Sequence, residues 1–321
     1  MDTAFTAPDT DFPSPARPVR RVTIIANPKS GRNSRDRDAI ASSLKIFGED
    51  ATLEMISSPD EIGRLVDRAC TNGADVIVAA GGDGTATAVA AAMLGRPQAM
   101  AVLPLGTFNY FARGLGFDED PVEAARQIAS GEPHAISVGV VNGQSFLNNA
   151  SLGIYPVVLR ARESVYSRWG RWRLAAHWSL IRTFLRFRRP MKVTLRFGGT
   201  EETRRTALVF VARSAYQLER FGLEGADAIS DDHFAVLVAR AATRRDLWRM
   251  AFRLAIGSVE AGRDYDFFSS DDLTIDIHRR GASLLAFDGE KRRARGPFRF
   301  SMSTDALKIM LPPHRADEAS G

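Results

Sequence analysis

A chain of 321 residues, 45% hydrophobic and 25% charged, has the balance of an ordinary globular protein and room for two cores. Its formal net charge of +5 suits an anionic ligand or a membrane surface and falls short of the basic excess of a nucleic-acid binder. A single cysteine, Cys70, excludes a disulfide framework and a cysteine-based metal site and allows a reducing, cytoplasmic setting.

Residues 1–20 carry Pro8, Pro13, Pro15 and Pro18, with no apolar core behind a basic start. They read as a disordered leader, not a secretory signal. Val22 to Ala26 is the first expected strand, and it runs into Asn27-Pro28-Lys29-Ser30-Gly31. A helix over 34–47 follows, then a strand over 51–56. Ser58-Pro59-Asp60-Glu61 opens the next helix, whose Ile62, Leu65, Val66 and Ala69 have helical spacing. Asp75 to Ala80 is an apolar strand ending in Gly81-Gly82-Asp83-Gly84-Thr85, and an alanine-rich helix is expected from Ala86 to Leu94. A fourth strand, Met100 to Leu103, leads into Pro104-Leu105-Gly106-Thr107-Phe108-Asn109, and a helix is expected over 121–130.

Alternating strands and helices imply a parallel sheet, with ligands held beyond its C-terminal strand ends. Three of the four strands end there in loops of unusual composition. Three glycines leave the backbone of the Gly81–Thr85 loop uncovered, so that its N–H groups can approach a phosphate at the positive end of the following helix. Asp83 stands against simple anion binding, since a carboxylate repels phosphate unless a cation or proton intervenes.

After Gly131 the pattern changes to short strands with turns. His134 to Val141 and Gln144 to Asn149 flank Asn142-Gly143, a strong hairpin signal. Met191 to Phe197 and Arg205 to Ala212 read as a strand pair around Gly198-Gly199. Further strands are expected over 234–239, 273–278, 284–287 and 298–302, with a helix over 243–256. Leu307 to Leu311 is a last strand, expected to return to the first domain. The arginine- and tryptophan-rich stretch from Arg160 to Arg189 reads either as an interfacial membrane helix or as a helix packed on its own domain with a solvated basic face. No apolar run nears the roughly 18 residues of a membrane span, so membrane contact is expected to be peripheral.

The three loops, in this order, resemble the diacylglycerol kinase catalytic-domain family, which includes bacterial lipid kinases, sphingosine kinases and ceramide kinases. The resemblance continues through Phe146 to Ile154 and ends at Asp288-Gly289-Glu290. It implies an N-terminal doubly wound α/β nucleotide-binding domain and a C-terminal β-sandwich, with the site between them. The expected division is 21–133, with 304–312 returning, then 134–303, then a loose tail over 313–321. The resemblance also implies transfer of the γ-phosphoryl group of ATP, with Mg²⁺, to a lipid hydroxyl, and the basic Arg160 to Arg189 stretch adds the expectation of peripheral contact with an anionic membrane. Gly81, Gly82, Asp83, Gly84, Thr85, Gly106, Thr107 and Asn109 would then hold the nucleotide, supported by Asn27 and Ser30. Glu290 falls on the proposed general base, with Asp83 as the other candidate acceptor. Asp232 falls where bacterial members place a structural metal beside backbone carbonyls, here those of Ile229 and Phe234. Ala86-Thr87-Ala88, Tyr110 and His233 depart from the family's usual residues. The Gly81–Thr85 core, shared with NAD kinases, keeps open a kinase of another alcohol such as NAD, and the departures after it and at Tyr110 keep open a catalytically silent nucleotide- or lipid-binding regulator.

Overall fold

The computed structural model describes residues 21–28, 34–153 and 190–313. Ser30, Lys29 and the Arg160 to Arg189 stretch lie outside the described residues, as do the leader and most of the tail. The chain divides into two compact units, one running to Val138 and resuming at Ser303, the other spanning Gly139–Met302.

The first unit is a six-stranded sheet built from β1 (Val22–Ala26), β2 (Thr52–Met55), β3 (Val76–Gly81), β4 (Ala99–Pro104), β5 (Glu132–Ile136) and β18 (Leu307–Leu311), in the order β2-β1-β3-β4-β18-β5. All pairs are parallel except β18 with β5. β1, β3 and β4 are buried along their whole length, which suits continuous apolar runs covered on both faces. The covering helices are α1 (Ser34–Phe47), α2 (Ile62–Thr71), α3 (Asp83–Met93) and α5 (Pro121–Ser130), with a short α4 (Tyr110–Gly114) after β4. α2 buries Ile62, Leu65, Val66 and Ala69, the four positions its spacing marks.

The second unit is a sandwich of two antiparallel six-stranded sheets. One contains β6 (Gly139–Val141), β7 (Gln144–Phe146), β9 (Met191–Phe197), β10 (Thr200–Thr206), β14 (Asp272–Ile277) and β17 (Phe298–Met302). The other contains β8 (Asn149–Gly153), β11 (Leu208–Ala212), β12 (Phe234–Ala239), β13 (Tyr265–Ser270), β15 (Ser283–Phe287) and β16 (Glu290–Ala294). Their inner faces share one core, in which Phe146 stacks on Phe234 at 5.8 Å and meets the edge of Phe300 at 6.3 Å. Among the described residues three helices decorate this unit: α6 (Ala215–Phe221), α7 (Ala226–Ser230) and α8 (Arg244–Ala255).

Three expectations change. The stretch from His134 to Val141 is not one strand: β5 belongs to the first unit, pairing with β18 from Ile136–Leu307 to Glu132–Leu311, and the second unit begins at Gly139. The strand that pairs with β9 across Gly198-Gly199 is Thr200–Thr206, while Leu208–Ala212 crosses to the other sheet. The α3 helix starts at Asp83, inside the glycine motif, because the Thr85 and Ala86 N–H groups reach the Gly82 carbonyl at 2.9 and 3.1 Å and close its first turn.

Candidate functional site

β1, β3 and β4 are adjacent and parallel, so Asn27, Gly81 to Thr85 and Leu105 to Asn109 gather past one edge of the sheet. The chain places β2 on one side of β1 and β3 on the other. That reversal is the switch point at which an open α/β sheet leaves a crevice for a ligand.

The loops are built by close backbone approach. A Cβ on Gly106 would stand 2.5 Å from the Gly82 Cα, and one on Gly81 would stand 2.6 Å from the Thr85 hydroxyl. Those glycines are required by packing alone. Gly84 differs: it is exposed, and a Cβ there would meet nothing within 4 Å. The space above it is open at the N-terminal end of an eleven-residue helix. The N-cap is Gly82, which brings no side-chain oxygen to the helix's first N–H groups, where phosphates bind well.

Polar side chains fasten the loops to one another. Asn27 donates from Nδ2 to the Thr85 hydroxyl at 3.2 Å, joining the first loop to the second. Asn109 takes a left-handed backbone (φ 50°) and bridges Gly106, accepting from its N–H at 2.9 Å and donating to its carbonyl at 2.9 Å. Asp83, partly buried, accepts from the Phe111 N–H at 3.0 Å. It thereby caps α4 from another part of the chain, a role invisible in sequence because its partner lies 28 residues away. Thr107 and Phe108 are exposed at the same edge. Phe108 stacks on Tyr110 with ring centroids 5.6 Å apart, and Tyr110 itself is buried.

In the second unit, Asp288 (φ 43°) and Gly289 (φ 87°) form a tight turn with two left-handed residues between β15 and β16. Glu290 opens β16 opposite Phe287 and is exposed. Its neighbour Asp288 is buried, and its carboxylate accepts from the N–H groups of Leu147, Asn148 and Asn149 at 2.6, 2.9 and 3.1 Å. Asp288 is thus the acid that holds the Phe146 to Asn149 stretch in place. The Asp-Gly pair signalled the turn, but not this buried role.

The expected structural metal does not fit. Arg213, buried on the way into α6, points its guanidinium at two of the three oxygens assigned to a cation: it pairs with the Asp232 carboxylate and donates to the Ile229 carbonyl at 3.2 Å. Burial pushes the Arg213 pKa down, while Asp232 beside it pulls it back up. Phe234, the third residue of that set, is wholly buried at the start of β12, opposite Ser270. A cation supplied by the chain itself therefore stands where a metal was expected. Among the described residues no cluster of three or more His, Cys, Asp or Glu side chains is placed to hold a metal.

Residues 21–141 match the diacylglycerol kinase catalytic domain family. This part of the chain is similar to that family. It contains all three loops. A protein from Pseudomonas syringae pathovar tomato named "Probable lipid kinase YegS-like" is 38% identical over 136 residues, 42% of this chain and 44% of that protein. A "Diacylglycerol kinase" of Bacillus subtilis is 36% identical over 141 residues, 42% of this chain and 46% of its own length. The chain thus spans less than half the length of these curated relatives. The fold match is longer: the crystal structure of a putative diacylglycerol kinase from Bacillus anthracis superposes with a TM-score of 0.71 over 92% of this chain and 98% of that one, at 20% identity. The two-domain α/β plus all-β fold is therefore shared along nearly the whole chain.

Proposed function

We propose that the protein is a lipid kinase that transfers the γ-phosphoryl group of MgATP to the hydroxyl of a diacylglycerol-like or related lipid at a membrane surface facing the cytoplasm. The observation that carries this reading is the single sheet edge where the Asn27, Gly81–Thr85 and Leu105–Asn109 loops meet, inside the segment that matches the kinase family.

In this reading the loop around Gly84 and the start of α3 bind the nucleotide phosphates, with Gly81, Gly82, Thr85, Gly106, Thr107, Asn109 and Asn27 fixing the shape of the cradle. Ser30 extends it. Magnesium enters with ATP as part of the substrate and offsets phosphate charge. Asp83 is the carboxylate at this edge, a hard oxygen donor of the kind magnesium takes. The lipid oxygen forms a bond to the γ-phosphorus, the bond to the bridging oxygen breaks, and ADP leaves. The hydroxyl proton passes to a carboxylate, for which Glu290 is the proposed acceptor.

The test is ADP release from the purified chain against a panel of diacylglycerol, monoacylglycerol, sphingosine and ceramide, with NAD as a separate acceptor. A phosphorylated lipid formed in step with ADP supports the proposal. Turnover with NAD alone would make it a kinase of another alcohol. Bound ATP without turnover on any acceptor would make it a silent regulator.

A further inference from the structure

α8 turns two different apolar faces in opposite directions. Leu247, Met250 and Leu254 are buried. Met250 and Leu254, with Leu208, Phe210, Leu237 and Tyr265, line an apolar hollow against β11 to β13 that is partly open to solvent. Trp248, Phe252 and Ile256 follow one another at single-turn spacing and are 40, 66 and 60% exposed. Half of the six large hydrophobic side chains exposed among the described residues thus stand in one row. A helix facing only water carries polar residues there.

Two arginines flank this row. Arg245 and Arg249 are exposed on the same side, Arg249 3.5 Å from Asp246. Asp246, the one acid of the helix, is turned back to the helix start, where it accepts from the Thr243 N–H and hydroxyl at 2.9 and 2.8 Å. Those bonds hold its pKa below the usual carboxylate range, helped by Arg249. Arg253 is likewise taken, donating to the Ser258 carbonyl at 2.6 Å and to Asp264 at 3.1 Å. The helix is therefore fixed at both ends before any partner arrives. Its outward face offers two aromatic rings, one aliphatic side chain and two guanidinium groups.

We infer that this face of α8 seats on an anionic lipid bilayer. Trp248, Phe252 and Ile256 enter the boundary between headgroups and acyl chains, and Arg245 and Arg249 lie on lipid phosphates. The inference rests on the lipid-kinase reading only in that the bilayer would also supply the substrate. It assigns membrane contact to a helix of the second unit, whereas the three loops belong to the first. A protein groove would match the apolar row, but it would leave the two arginines without the anionic plane that a bilayer offers.

The experiment is co-sedimentation of the full chain, without ATP, with phosphatidylcholine vesicles containing or lacking 30% phosphatidylglycerol. Binding to the anionic vesicles should weaken with salt. Phe252→Ser with Ile256→Ser should lower it by roughly 10- to 100-fold, with an unchanged melting temperature because both side chains are exposed. Arg245→Glu with Arg249→Glu should lower it about tenfold or more and flatten the salt dependence. A blue shift of tryptophan emission on binding should shrink in Trp248→Phe. Wild-type protein that stays in the supernatant, or a double serine variant that sediments like wild type, would overturn the inference. So would a wild-type dimer that the serine pair turns into a monomer, since the face would then join two copies. Turnover of dispersed dioctanoylglycerol by wild type, without vesicles, tests the kinase reading alone. Its failure beside intact vesicle binding would sink that reading and leave the surface standing.

Discussion

Asp83 separates structure from chemistry most sharply. Its carboxylate caps α4 through the Phe111 N–H, so Asp83→Ala removes a charge-assisted bond from a partly buried helix start. Losing such a cap costs about 1–2 kcal/mol. Taken from the lower end of ordinary domain stability, about 5 kcal/mol, that leaves roughly 3 kcal/mol and more than 99% of molecules folded. Unfolding alone would therefore lower turnover by less than about 1%. Asp83→Asn keeps an oxygen for Phe111 and should cost under about 1 kcal/mol. If the charge serves phosphoryl transfer, both variants should lose roughly 100-fold or more in turnover. The assay pairs thermal melting with ADP release on the same preparations. An asparagine variant that melts and turns over like wild type would reduce Asp83 to a helix cap. An alanine variant alone losing turnover would say the same, since only it lacks the acceptor.

Gly84→Ala should melt no lower than wild type, because its Cβ meets nothing within 4 Å and alanine favours helix; nucleotide affinity measured by titration should still fall about tenfold, or 1.4 kcal/mol. Gly106→Ala should lower the melting point outright, since its Cβ collides with the Gly82 backbone. Glu290→Gln should cut turnover by roughly 10² to 10⁴ with little change in ATP affinity, and Glu290→Asp should keep part of it; a near-wild-type glutamine variant would return Glu290 to the status of an exposed turn acid. Arg213→Met should destabilise the protein by about 1–3 kcal/mol by leaving Asp232 and the Ile229 carbonyl without their cation, whereas chelators or millimolar Mg²⁺ should not move the melting point of nucleotide-free wild type; a rise on adding Mg²⁺ would show that a divalent ion competes for those oxygens. Burial pushes the His134 pKa below its ordinary value, outweighing the opposite pull of Glu132. The unfolded chain then takes up the proton first, so His134's contribution to stability is present above about pH 6.5 and is lost as pH falls toward the folded pKa. His134→Gln should flatten the fall in melting temperature between pH 7 and pH 5, and an unaltered slope would exclude His134 as its source.

What could be read from sequence was whatever neighbouring residues decide between them. The β-branched run Val22–Ala26, the four apolar positions of α2, the Asn142-Gly143 and Asp288-Gly289 turns and the α/β-then-all-β order are local signals, and all appear in the fold. β10 was not legible, because it is an edge strand whose inward face carries Glu202, Arg204 and Thr206 in place of apolar residues, so Thr200–Thr206 shows no apolar alternation. The loops announced their glycines, yet not which ones serve packing and which leave space. The partners Asp83–Phe111, Asp288–Asn148 and Arg213–Asp232 lie 28, 140 and 19 residues apart, and no local pattern encodes them. The metal expectation shows the same limit: resemblance placed Asp232, Ile229 and Phe234 together, and the Arg213 guanidinium on the first two was out of view. The outward row on α8 was hidden in the same way, since a helical face does not say which side meets the sheet.

β18 lies between β4 and β5 in the first sheet. Until residues 307–311 have been made, β5 has no strand beside it and the C-terminal half of that sheet is open. Gly139–Met302, by contrast, is one unbroken length of chain. On the ribosome the later-encoded unit can therefore finish folding first, while the first unit's sheet waits, its β4 edge uncovered, for the last strand to emerge. The same order sets the cost of damage: a stop codon anywhere after residue 302 and before β18 would spare the sandwich and leave the first unit incomplete.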